Sequence, residues 1–432
     1  MRACALGTAL ILVACGDDST APPDAAVTAP IANTARGISA TDLAFDVTTF
    51  ASTAKITFEP STAAGATLEV GDLTLDAITL DGAAVLYQAD TTKKTIDLGL
   101  AASDAPITID VAFHYKNHPG FSGANANGFT LLWPYYCGNL FPCHSQPSDG
   151  TTMTLGLTGV PAGKVAVYPT MISEAPSYQV AWSIDAYTEL PVGTTSAGTQ
   201  ISAWYRPTEL AAAQAGTANL VAAFNWFETT LGPYRFGNKV GTVSVKWPPG
   251  AYGGMEHHPL WHLSSSALGD EKTNVHEAAH GWFGDGIRIE CWEDFVLSEG
   301  TVSYLAGRAL DVVASTVGAA VWSGYEAELG GIPATAKVWP QSCNSIDILK
   351  DNLFSNAPYM RGAFFYRAVA LKVGATRLDQ ALHTFYMAHG GKTAHMADML
   401  ETIKTVTGYD PTTCADMWLK STTKPTPNVA CP

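Results

Sequence analysis

The chain has 432 residues, 47% of them hydrophobic and 10% aromatic, and a formal net charge of −15. That length exceeds one ordinary core and predicts two to three domains, while the apolar content excludes a disordered chain. The acidic balance excludes nucleic-acid binding, because little here would neutralise phosphates, and it reads as solubility rather than as an acidic docking surface.

At the N-terminus, Arg2 precedes an apolar run from Ala5 to Ala14 that is too short to span a bilayer, which predicts a signal peptide over residues 1–14. The run ends Leu12-Val13-Ala14-Cys15 and resembles a bacterial lipobox, implying cleavage before Cys15 and a lipid anchor on it; a plain secretory signal is the alternative. Gly16 after that cysteine favours outer-membrane sorting. The expected location is therefore the exported bacterial cell envelope, outer membrane or periplasm. Residues 15–37 are Asp-, Ala-, Thr- and Pro-rich without periodicity and predict a flexible tether.

Export suits the cysteines. Six remain beyond the leader and Cys15, and proximity favours Cys137 with Cys143 and Cys414 with Cys431, leaving Cys291 for Cys343.

Residues 38–205 alternate apolar and polar side chains in short runs, such as Ile107, Ile109, Val111 and Phe113, and predict an all-β domain with one buried face per sheet. Asp81-Gly82 is a hairpin turn between two of these runs. Near Arg206-Pro207 the period changes. A helix is predicted over Glu209 to Thr229, a strand at Val243-Ser244-Val245, and further helices over Arg361 to Val373, Arg377 to His389 and Met396 to Val406. Residues 206–432 thus form a mainly helical second domain with a small sheet, and the whole chain is multi-domain α+β.

Within that second half stands His276-Glu277-Ala278-Ala279-His280, with Glu299 eighteen residues beyond. Residues four apart on a helix share a face, so the two imidazoles can close on one ion while Glu277, one step round, handles a proton. A second helix, striped by Val302, Leu305, Ala309 and Val312, brings Glu299 as third ligand. Three protein ligands leave a coordination position for water, the arrangement of a catalytic rather than a structural Zn2+. One zinc ion and peptide-bond hydrolysis are the expectation. The metzincin pattern is excluded, since its glycine and histidine positions hold Phe283 and Gly286. His258 and His262 have no ligand spacing to Glu299 and read as structural.

Taken together, these segments resemble the aminopeptidase N family of gluzincin zinc peptidases. The interval to Glu299 is that family's, and Trp282-Phe283-Gly284, Trp292-Glu293-Asp294 and Leu297-Ser298-Glu299-Gly300 are similar to its zinc block. Gly253-Gly254-Met255-Glu256 resembles its exopeptidase motif, Pro358-Tyr359-Met360-Arg361-Gly362 its catalytic tyrosine segment, and Phe141-Pro142-Cys143 with Pro147 a junction in its β domain. The resemblance spans roughly residues 40–425. It implies a saddle-like N-terminal β domain and a thermolysin-like catalytic domain, without room for the large C-terminal helical domain common in the family. It further implies zinc on His276, His280 and Glu299, Glu277 as base and Tyr359 as donor to the oxyanion. Glu256 would hold the substrate's α-amino group, and Gly253, Gly254 and Met255 would lie along the peptide backbone.

Three departures stand out. His257 replaces the family's asparagine, the stretch Leu131 to Trp133 is apolar where a second amine-holding glutamate or glutamine belongs, and Ala306 replaces a carboxylate that supports a zinc histidine. Asp294 is the candidate to supply that support. An open-cleft zinc endopeptidase and an inactive surface protein that retains the fold stand as alternatives to the aminopeptidase.

Overall fold

Strict alternation in the first half builds sheets with one buried face. In the strand Ile107–His114 every second side chain is buried, and it lies between Ala51–Phe58 and Thr74–Leu80 in a seven-stranded sheet. The computed structural model describes residues 29–132, 136–247, 252–340, 342, 343, 345 and 353–432. The signal peptide and Cys15 lie outside the described residues. Asp81 and Gly82 adopt φ of 50° and 81°, the paired positive values that a two-residue hairpin needs. A three-stranded and a four-stranded sheet complete the β domain around Phe45, Phe58, Phe113 and Trp182.

Helices take over from residue 210, and their apolar stripes share a second core containing Phe224, Trp282, Val302, Leu305, Phe364 and Phe385. The principal helices are Glu271–Ala279, Phe295–Val313, Ser315–Gly331, Asn356–Val373, Ala375–His389 and Met396–Thr407. A five-stranded sheet lies beside them in the order Thr188–Thr194, Gln200–Tyr205, Lys239–Val245, Leu260–Ser264, Gly254–Met255. None of the described helices is long and apolar enough to cross a membrane.

Three expectations need correction. The tether over 15–37 does not extend to its last residues: Ile31 N donates to Leu98 O, and the Arg36 guanidinium is buried against the carbonyls of Gly65 and Ala101. The β domain does not run to 205, because Thr188–Thr194 and Gln200–Tyr205 join the sheet of the helical half, Gln200–Tyr205 pairing in parallel with Lys239–Val245. The single helix over Glu209 to Thr229 is two, Leu210–Gly216 and Leu220–Thr230. Gly216 presses on the backbone of Leu268, and the Thr217 hydroxyl bonds the Ala213 carbonyl where the chain turns. The disulfides Cys137–Cys143, Cys291–Cys343 and Cys414–Cys431 are the pairs that proximity favours.

Candidate metal centre and cleft

Asp270 starts the helix Glu271–Ala279 by accepting from the backbone N–H groups of Lys272 and Thr273. Val275, Ala278 and Ala279 are fully buried on its core side. His276 and Glu277 therefore emerge on other faces, and His280 follows at the C-cap with helical φ and ψ, its ring centroid 5.1 Å from that of His276.

Glu299, in the first turns of Phe295–Val313, completes the group. Its Oε2 lies 3.2 Å from His276 Nε2 and 3.4 Å from His280 Nε2. Ligand atoms ~2.0–2.1 Å from a tetrahedral zinc are separated by about 3.4 Å, so both separations match edges of one coordination sphere. His280 Nδ1 donates to the Phe283 carbonyl at 3.0 Å, which leaves Nε2 with its lone pair free. That Nε2 is buried and makes no hydrogen bond among the described residues. A buried imidazole nitrogen without a hydrogen bond, facing a carboxylate at ligand spacing, fits a divalent cation. Gly284, at φ 102°, makes the turn that aims the Phe283 carbonyl.

The electrostatics point the same way. Burial pushes the Glu277, Glu256 and Asp285 carboxyls above their ordinary range, with His280 the main charge pulling them back. Glu299 is buried too, yet His280 and His276 hold it down at about 2. His280 is driven upward by Glu299 and Glu256 against the effect of its own burial. A positive charge at the imidazoles is what this cluster of carboxylates calls for.

Gly254–Met255 is an edge strand that pairs, on one side, with Leu260–Ser264. Gly254 sits so close to Glu277 that a Cβ there would collide with Glu277 Oε1. Glu256 follows at the strand end, its carboxylate within 4.8 Å of the ligand atoms of His280 and Glu299. Tyr359 stacks on His276 with ring centroids 6.0 Å apart, and Phe295 buttresses it edge-on at 5.9 Å. Burial, then Glu299, push its hydroxyl well above the usual tyrosine range, so it stays protonated and able to donate.

Tyr359 reaches this position because its helix crosses that of Glu299 glycine to glycine. A Cβ on Gly362 would stand 2.9 Å from Val296 Cγ2 and overlap the Gly300 backbone. Gly362→Ala should therefore lower stability by about 1–3 kcal/mol, the usual cost of overpacking, and also reduce turnover by displacing Tyr359. Thermal unfolding and steady-state rates on the variant check both; an unchanged Tm would show that the crossing tolerates a methyl group.

Two residues with no recognisable sequence signal reach the site from the β domain, one lining the cleft and one behind it. Tyr178 lines the cleft and donates to Asp285 Oδ1 at 3.5 Å. Gln179 accepts from His258 N at 2.8 Å and donates to Asp285 Oδ1 at 2.9 Å, linking the two domains under the metal helix. His258 in turn holds the Glu277 carbonyl at 2.8 Å and the Tyr234 hydroxyl at 2.7 Å, a supporting role, while His262 packs its ring on His257. Asp294 does not support a metal histidine: its carboxylate is taken by His395 Nδ1 at 2.7 Å and Met396 N at 2.9 Å. Leu131 lines the cleft as an apolar wall, and Trp133 lies outside the described residues. The cleft measures about 340 Å³ and gathers the catalytic candidates at the junction of the domains.

Residues 221–418 match the Peptidase family M1 domain. Leucine aminopeptidase 2 of Neurospora crassa is 26% identical over 288 residues, covering 60% of this chain and 42% of that protein. The chain spans a little under half the length of the curated relatives it matches first. Among solved structures it is similar to the M1 zinc metallopeptidase of Deinococcus radiodurans, with TM-score 0.76, 19% identity, and 91% and 96% of the two chains covered. A point mutant of the Deinococcus radiodurans enzyme, solved bound to a Tyr-Ser-Ala substrate, superposes with TM-score 0.74 at 19% identity over 90% of this chain and 95% of that one. These likenesses extend over the β domain as well as the helical one.

Proposed function

This chain belongs to the M1 peptidase family through its domain at residues 221–418, and we propose that it is a zinc-dependent aminopeptidase that removes single residues from peptide N-termini. The observation that carries the reading is the trio of His276, His280 and Glu299, with Glu299 Oε2 3.2 and 3.4 Å from the two imidazole nitrogens and Glu256 within 4.8 Å of two of the ligand atoms. An α-amino nitrogen lies only about 2.5 Å from the carbonyl carbon of its own residue, from standard bond lengths. An amine anchored on Glu256 thus leaves the first peptide bond, and no later one, within reach of the metal.

One zinc ion held by the trio would polarise the scissile carbonyl and make its water a nucleophile near neutral pH. Glu277 accepts that water's proton and returns it to the leaving amine, as a carboxylate of raised pKa is suited to do. Tyr359 donates a hydrogen bond to the oxyanion as charge develops on the carbonyl oxygen. The unpaired side of Gly254–Met255 offers backbone groups that align the peptide in extended form. Burial of Glu256 makes it costly to leave without a cationic partner, which favours substrates with a free N-terminus.

A panel of aminoacyl arylamides tests the reading. Turnover of at least one member should disappear on chelation and return with stoichiometric zinc, one ion per chain by metal analysis. A metal-free protein as active as the loaded one, or no turnover across the panel, removes the proposal.

A further inference from the structure

One end of the cleft carries a set of donors that the hydrolytic machinery does not use. Lys272 is the sole lysine or arginine among its described lining residues, against the four glutamates Glu256, Glu277, Glu299 and Glu328. It lies one helical turn before His276, and its ammonium stands 3.4 Å from Glu328 and 5.7 Å over the Tyr325 ring. Asn356 holds the other Glu328 oxygen at 3.3 Å, so Glu328 is an anchored base for the lysine. An ammonium has three donors, and one is engaged by Glu328.

Two hydroxyls of the same cleft join it. Ser303, one turn after Glu299, is 0% exposed, and Tyr325 is 2% exposed; both line the cleft. Neither hydroxyl has a hydrogen-bond partner among the described residues. Buried polar groups are rarely left so, and two in one cleft, one of them on the ring over which the Lys272 ammonium lies, call for an acceptor from outside. Burial keeps the Tyr325 phenol protonated. Two hydroxyls without an acceptor and an ammonium with donors to spare describe a place for an anion.

The direction of the bound peptide puts that place after the scissile bond. The segment Gly253 to Glu256 runs alongside the metal helix, Gly253 against Thr273, Gly254 against Glu277, and Glu256 near His280. A peptide whose amine sits at Glu256 and whose first carbonyl reaches the histidines must continue towards Gly253 and Thr273, and so towards Lys272. We infer that Lys272, Ser303 and Tyr325 form a carboxylate subsite for the residue that follows the cleaved bond, making dipeptides with a free C-terminus preferred substrates. This rests on the aminopeptidase reading above.

The same chemistry would take an acidic side chain at that second residue, and the assay separates the two sources. With X the best N-terminal residue of the arylamide panel, four substrates are compared: X-Ala, X-Ala-amide, X-Glu-amide and X-Gln-amide. Wild type should cleave X-Ala at least tenfold better than X-Ala-amide in kcat/KM. Lys272→Met should bring that ratio to within about twofold, Tyr325→Phe should lower it several-fold, and Lys272→Arg should restore it. Calorimetric binding of X-Ala and X-Ala-amide to the Glu277→Gln protein gives the same comparison without turnover. A ratio near one in wild type, or one that survives Lys272→Met, overturns the inference. A preference confined to X-Glu-amide over X-Gln-amide overturns the dipeptide assignment. Failure of the arylamide panel itself would instead strike the aminopeptidase reading, and the calorimetric arm, run with Leu as X, still decides this one.

Discussion

Glu277→Gln should cost on the order of 10³-fold in kcat, the range in which positioned acid–base groups contribute, with KM little changed. Glutamine keeps the shape and the contact with Gly254 but cannot take a proton from water. Bound zinc should remain at wild-type level, because the metal-facing atoms of His276, His280 and Glu299 are untouched. Stability should not fall either. Glu277 is buried with Glu256, Glu299 and Asp285 close enough to oppose its ionisation, so its folded-state pKa lies above its unfolded one. A carboxyl raised in this way binds more protons folded than unfolded, and the metal-free protein loses stability as pH rises from the ordinary glutamate range through the raised value. The variant removes that loss. A chelated Glu277→Gln protein should melt at or above the wild-type temperature at neutral pH, and the gap should close in acid. A variant with wild-type turnover would take the proton-handling role away from Glu277.

The period of the apolar pattern was enough to separate a strand-built half from a helical one, since burial of one face imposes alternation on a strand and a stripe on a helix. It could not say which sheet a strand joins. Thr188–Thr194 and Gln200–Tyr205 alternate as the β domain does, yet their partner is Lys239–Val245, a pairing set by contacts far apart in sequence. The break at Gly216 was hidden for a similar reason, because the backbone of Leu268 that crowds it comes from beyond the next strand. The grouping of His276, His280 and Glu299 was legible because two of them share one helical turn. Tyr178 and Gln179 were not: each acquires its function only when the β domain is laid against Glu256 and His258. Asp294 misled, being near in sequence to the metal block but turned towards His395. Lys272 lay in view one turn before His276, but Tyr325 and Ser303, on two other helices, give it meaning.

The amine anchor separates an aminopeptidase from an endopeptidase built on the same metal chemistry. Glu256→Gln should reduce kcat/KM on substrates with a free N-terminus by about 30- to 150-fold, as loss of a charged hydrogen bond worth about 2–3 kcal/mol predicts. N-acetylated versions of the same peptides should be poor substrates of the wild type, because an acetyl group leaves the Glu256 carboxylate buried without a cation. In the variant that penalty is gone, so their rates should hold or rise, and the preference for free amines should collapse from both sides. Tyr178 sharpens the expectation. Its hydroxyl shares the cleft with the same carboxylate and acts on its charge, and Tyr178→Phe should weaken amine binding through KM with a smaller effect on kcat, since it acts on Glu256 rather than touching the reacting carbonyl. Equal wild-type rates on free and acetylated peptides would assign the chain to the endopeptidases and leave Glu256 a structural carboxylate.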